Sequence, residues 1–122
     1  MRIITFNANG LRSAASKGFF DWFVRQQADL LCVQETKAQE HQLGEAALRP
    51  DGYRAWFRDA TTRKGYSGVA IYSRREPDAV LTELGWADFD EEGRYIEARF
   101  GKLSVVSMYF PSGSSGEERQ RF

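Results

Sequence analysis

The first third of the chain, Arg2 to Gln34, limits the fold more than any other segment. "RIITF", Arg2–Phe6, is β-branched and apolar, and it breaks at Asn7-Ala8-Asn9-Gly10. That pattern predicts a strand followed by a loop. Within "KGFFDWFVRQQA", Lys17–Ala28, Phe19, Phe20, Phe23 and Val24 recur at helical spacing with Trp22 beside them. This predicts an amphipathic helix. "LLCVQ", Leu30–Gln34, is an apolar run suited to a buried strand. Strand, helix and strand within about 30 residues form a crossover unit, which favours a parallel strand pair and an α/β fold.

The rest of the chain is compatible with that beginning. Gln42–Leu48 has the look of a short helix closed by Pro50-Asp51-Gly52. Tyr53–Phe57 alternates aromatic and polar residues like a half-buried strand, and a polar loop runs from Arg58 to Gly65. "GVAIYS", Gly68–Ser73, is a further apolar strand, punctuated by Arg75-Glu76-Pro77-Asp78. Arg94–Phe100 and Leu103–Tyr109 flank Gly101-Lys102, so they predict a hairpin. A loop from Phe110 to Gly116 precedes "EERQRF", which has the acidic start and serine caps (Ser114 or Ser115) of a helix N-terminus. Because so short a helix is marginal alone, the chain is expected to be the N-terminal portion of one longer domain.

Charge and cysteine content narrow the functional classes. Among 122 residues, 17 Lys and Arg face 17 Asp and Glu, so the general basic excess of a nucleic-acid binder is missing and any such role must rest on local patches. Cys32 is the single cysteine, which excludes an internal disulfide and lacks metal-ligand spacing. It is expected to be a buried small hydrophobe. No apolar run approaches the roughly 18 residues of a membrane span, and a cytoplasmic location is the default expectation.

Three polar groups follow predicted strands: Asn7 and Asn9, then Gln34, Glu35 and Lys37, then Tyr109. Ligands in open α/β sheets gather at the carboxyl ends of strands. A carboxylate and an amide oxygen are hard donors, suited to Mg²⁺ or Mn²⁺, and Mg²⁺ needs few protein ligands when a phosphate supplies others. From the residues alone, plainer roles stay open. Asn7 is equally a turn residue, Glu35 and Lys37 a surface ion pair, and Tyr109 a core aromatic. Gly65-Tyr66-Ser67-Gly68 is a phosphate nest or simply the start of a strand. Arg12 and Lys17 contact a phosphate backbone or face solvent. His41 is expected at the surface.

Five segments in order, "RIITFNANGLRS", "ADLLCVQETKA", "RKGYSGVAIYSR", "FDEEGRYIEARF" and "LSVVSMYFPSGSSGEERQRF", resemble the exodeoxyribonuclease III and apurinic/apyrimidinic (AP) endonuclease branch of the endonuclease/exonuclease/phosphatase superfamily. The resemblance implies a four-layer α-β-β-α sandwich of the DNase I-like kind. It implies Mg²⁺-dependent (or Mn²⁺-dependent) hydrolysis of phosphodiesters in duplex DNA, at 3′ ends and abasic sites. On that basis Glu35, Asn7 and Tyr109 are catalytic. Glu35, Asn7 and Asn9 form the metal side, with Lys37 orienting or balancing Glu35. Arg12, Lys17, Lys37 and Tyr66 form the DNA-binding side.

The resemblance also implies an Asp-x-Asn motif, a later Asp and an Asp-His pair, all expected beyond residue 122. Two expectations follow. The fragment is inactive alone for want of a general base. It exposes an apolar sheet face that promotes self-association. Other outcomes are a different phosphodiesterase or phosphatase activity, or a non-catalytic DNA-binding fragment.

Overall fold

The computed structural model describes residues 1–60, 67–83, 85 and 93–109. Gly65, Tyr66, the Phe110–Gly116 loop and the closing "EERQRF" segment lie outside them.

Hydrophobic alternation builds three layers. β1 (Ile3–Asn7), β2 (Leu30–Gln34), β3 (Arg54–Arg58) and β4 (Val69–Ser73) form a mixed sheet in the order β1-β2-β4-β3. β1 and β2 are parallel, as the crossover requires, and the other pairings are antiparallel. Successive strand residues face opposite sides. Leu31, Val33, Ala70 and Tyr72 therefore meet the helices, while Leu30, Cys32, Val69 and Ile71 face the other way. On that second side lies a three-stranded antiparallel sheet of β5 (Ala79–Leu81), β6 (Tyr95–Phe100) and β7 (Leu103–Met108). Ile96, Ala98, Phe100 and Val105 complete the inter-sheet core. Cys32 is buried there, and burial pushes its thiol up to about 11, so it is the inert hydrophobe expected.

The helix predicted over Lys17–Ala28 is present as the shorter α2 (Phe19–Arg25), and a second short helix that the sequence reading lacks, α1 (Leu11–Ser16), precedes it. Gly18, at φ 88°, turns the chain between them, a conformation that glycine adopts without steric cost. The break lets Leu11 join Phe20 and Phe23 in one core, and it stacks Phe19 on Phe6 of β1 with ring centroids 4.2 Å apart. Full burial of a side chain such as Phe23 contributes about 1.5–3 kcal/mol. The short helix predicted over Gln42–Leu48 is present as α3 (Glu45–Leu48), preceded by a 3-10 turn at Glu40–Gln42. His41, in that turn, is exposed as expected. β5 is absent from the sequence-based prediction.

The apolar face expected to lie bare is mostly covered, because the three-stranded sheet packs on it. What stays open among the described residues is the flank of β1, where Ile3 is 46% exposed, and part of β7, where Leu103 and Val106 are exposed.

Candidate active site

The carboxyl ends of β1 and β2 lie side by side because the two strands run parallel. Asn7 pairs in register with Gln34, and Glu35 is the next residue. Backbone hydrogen bonds carry the alignment past the strands. Ala8, Gly10 and Leu11 donate to the carbonyls of Gln34, Glu35 and Thr36 at 2.9, 2.9 and 2.8 Å. On the other side, Thr36 and Lys37 donate to Gly68 and Ser67 at 3.1 and 2.8 Å. Glu35 is thus held from both flanks by main chain, which is how a strand end fixes a side chain that needs accurate placement.

Tyr109 reaches this point from the second sheet. It immediately follows β7, and its N–H donates to the Arg94 carbonyl at 3.0 Å. Its side chain comes close enough to Glu35 to feel the charge of that carboxylate. Burial first, then the charge of Glu35, hold the phenol protonated beyond the usual tyrosine range, while Arg94 acts in the opposite direction. An acid just after β2 and a phenol just after β7, far apart in sequence, are therefore brought near each other, with Asn7 at the end of the adjacent strand.

Asn7 also performs the plain turn role: its Oδ1 accepts the Asn9 N–H at 3.1 Å and shapes the loop after β1. Lys37 does not pair with Glu35. Its ammonium donates to Asn9 Oδ1 at 2.6 Å, and no ion pair joins Lys37 to Glu35 among the described residues. Backbone left-handed at both Glu35 (φ 54°) and Lys37 (φ 49°) accompanies this crossing of the lysine to the β1 loop. Lys37 thus ties Asn9 into the site.

Arg12 and Lys17 are exposed on and just after α1. Lys17 borders a groove with Asn9, Ser13, Phe6 and Phe19, next to the site. Tyr66 lies outside the described residues. The Ser67-Gly68 step acts as the start of β4, since the Gly68 N–H is spent on the Gly93 carbonyl at 3.0 Å and cannot cradle a phosphate.

Arg94 is the residue that sequence reasoning missed. It is fully buried, with its guanidinium 5.3 Å from the centroid of the Tyr109 ring. A cation in that position is attracted by the ring and fixes it.

The donor set fits a hard divalent cation. No cluster of three or more His, Cys, Asp or Glu side chains occurs among the described residues. Glu35 is one hard carboxylate donor, while the Asn7 and Asn9 amide oxygens accept from the Asn9 N–H and the Lys37 ammonium; an ion such as Mg²⁺ keeps waters and takes phosphate oxygens from a substrate, so few protein ligands suffice.

Residues 4–121 match the endonuclease/exonuclease/phosphatase family. The chain is 38% identical over 120 residues to an exodeoxyribonuclease of Bacillus subtilis, covering 98% of this chain and 46% of that protein. It is 35% identical over 117 residues to the DNA repair nuclease APEX1 of Danio rerio, covering 95% of this chain and 38% of that one. An AP endonuclease structure from Archaeoglobus fulgidus superposes with a TM-score of 0.76 at 35% identity, over 91% of this chain and 41% of that chain. The chain thus spans less than half the length of the relatives it matches.

Proposed function

The chain belongs to the endonuclease/exonuclease/phosphatase family and has its DNase I-like mixed α/β architecture, and from that premise we propose that it is part of a DNA-repair nuclease. The reaction is Mg²⁺- or Mn²⁺-dependent hydrolysis of phosphodiesters in duplex DNA, at abasic sites and 3′ ends. Relatives described as an exodeoxyribonuclease and a DNA repair nuclease support this substrate class. The observation that carries the reading is the meeting of the Glu35 carboxylate and the Tyr109 side chain beside the end of β1.

Each residue has a physical task. Glu35 would hold the divalent cation, with Asn7 and Asn9 on the metal side; the Asn9 Oδ1 would have to release the Lys37 ammonium to become a ligand. When bound, that cation supplies fixed positive charge against the phosphate oxygens. The Tyr109 hydroxyl, kept protonated by its surroundings, donates a hydrogen bond to a non-bridging oxygen where charge builds in the transition state. Such preorganised donors need no rearrangement during reaction. The Asn7 amide N–H₂ is a second neutral donor. Arg12, Lys17 and Lys37 neutralise flanking phosphates, and Tyr66 is assigned to the same DNA contact. None of these 122 residues is assigned as a general base, and lack of one slows such a reaction by roughly 10²–10⁴-fold, so these residues alone are expected to cleave slowly.

The test is incision of a duplex carrying one abasic site, with Mg²⁺, by these 122 residues and by the longest polypeptide of their reading frame. Incision is expected only from the longer form, and Glu35→Ala in that form abolishes it. Undiminished incision by the Glu35→Ala protein would refute the assignment. Duplex binding without incision by either form favours a non-catalytic DNA-binding role.

A further inference from the structure

A chain of side-chain hydrogen bonds runs directly beneath the site, across the layer between the two sheets. Ser107 of β7 is fully buried. Its hydroxyl donates to the Val33 carbonyl of β2 at 2.9 Å and accepts from the Gln34 amide nitrogen at 3.1 Å. The Gln34 amide oxygen accepts from the Thr5 hydroxyl of β1 at a longer 3.4 Å. Three strands are joined, and they are the three that end in the site. Thr5 stands two residues before Asn7, Gln34 one before Glu35, and Ser107 two before Tyr109.

The location gives the chain a purpose that its neighbours cannot serve. Elsewhere the sheets meet through apolar side chains such as Leu30, Ile71, Ile96 and Val105. Apolar burial is non-directional, so it holds the sheets together without dictating their offset to a fraction of an ångström. Hydrogen bonds do dictate it, because they weaken steeply with distance and angle. A buried hydroxyl with both a donor and an acceptor partner admits few alternative registers, since any slip leaves polar groups unsatisfied. Glu35 and Tyr109 come from different sheets, so this offset sets how they meet.

We propose that the hydrogen bonds of Ser107 to Gln34 and Val33 fix the offset of the two sheets at the active site, and that Ser107 and Gln34 are positioning residues acting through Tyr109 and Glu35. The kinetic part of this rests on the nuclease reading above, whereas the geometric part stands without it.

The experiment uses the longest polypeptide of the reading frame, an abasic-site duplex and Mg²⁺. Ser107→Ala is expected to lower kcat about tenfold or more while KM stays within about twofold, the signature of misplaced reacting groups. Gln34→Met deletes the same bond from the partner side with little change in size, and should reproduce the loss. Ser107→Thr, which keeps the hydroxyl, should recover most of kcat. The cross-relaxation signal between the Glu35 side chain and the Tyr109 ring, read by NMR, should weaken in Ser107→Ala and persist in Ser107→Thr. An unchanged kcat in both Ser107→Ala and Gln34→Met overturns the proposal. So does a loss explained wholly by the unfolded fraction. If the natural protein cleaves nothing, the nuclease reading fails, and the NMR signal alone decides: its persistence in Ser107→Ala overturns the positioning claim.

Discussion

Glu35 occupies the left-handed backbone region, at φ 54°, and so do its neighbours in space Asn9, Lys37 and Ser67, at 44°, 49° and 56°. Non-glycine residues avoid this region at a cost of about 1–2 kcal/mol each, with asparagine the most tolerant. Such strain persists only where the surroundings over-determine the backbone, and here the cross-strand hydrogen bonds around Glu35 do so. Gly68 is part of the same lock. It sits at φ 91°, and a Cβ there would lie 2.0 Å from Thr36 Oγ1. Gly68→Ala should therefore destabilise the chain by about 2–4 kcal/mol, from backbone strain plus forced repacking. Because Thr36 adjoins Glu35, the same change should displace the carboxylate. Denaturant unfolding reads the first effect, and a destabilisation under about 1 kcal/mol would mean that the loop simply yields. Asn7 and Glu35 were legible as site candidates because a parallel strand pair must bring its ends together. Tyr109 was legible only through its motif, since nothing local says that a phenol in the second sheet meets an acid in the first. Arg94 was not legible. An arginine opening an alternating strand reads as exposed, and its burial depends on packing that sequence pattern does not encode.

At the level of elements, the longer strands and the main helix were legible and the shortest elements were not. β2 and β4 show the unbroken apolar run of strands buried on both faces, and β6 and β7 the alternation of strands with two distinct faces. The apolar spacing after Lys17 marked α2, whereas α1, six residues with Leu11 as its one buried side chain, carries too little pattern to be read. β5 has only three residues, Ala79–Leu81, too few to show a period. Its partner β6 carries a further polar network. Glu97 accepts hydrogen bonds from the Tyr95 hydroxyl and from Arg99 Nε, the latter at 2.7 Å. Those two bonds hold the Glu97 carboxyl below the usual carboxylate range. A carboxyl with a lowered folded-state pKa stabilises the fold above its unfolded pKa, and that contribution is lost as pH falls through the folded value. Glu97→Gln should therefore lower stability near neutrality and flatten the fall in stability below about pH 4. Thermal melts from pH 7 to pH 3 would check this, and parallel acid limbs in the two proteins would show that Glu97 contributes nothing to them.

For the molecule as a whole, the open question of assembly turns on β1. Its inner edge is paired with β2, and no strand pairs with its outer edge among the described residues. Beside the exposed Arg2, Thr5 and Asn7, two apolar side chains stand open there, Ile3 at 46% and Met1 at 64%. An unpaired strand edge with apolar side chains is a template for another strand, and natural proteins usually blunt such edges with charge. The expected self-association therefore moves from a bare sheet face, which the second sheet covers, to this flank. We propose that the 122-residue chain associates through the β1 edge. In sedimentation velocity its apparent mass should rise with concentration, as mass action requires. Ile3→Lys places a charge on the exposed flank without touching either core, so it should leave the melting temperature nearly unchanged and shift the chain towards monomer. A mass independent of concentration in the natural chain would show that the edge is silent. Association undiminished by Ile3→Lys would instead point to Leu103 and Val106 on β7, the other exposed apolar side chains of the second sheet.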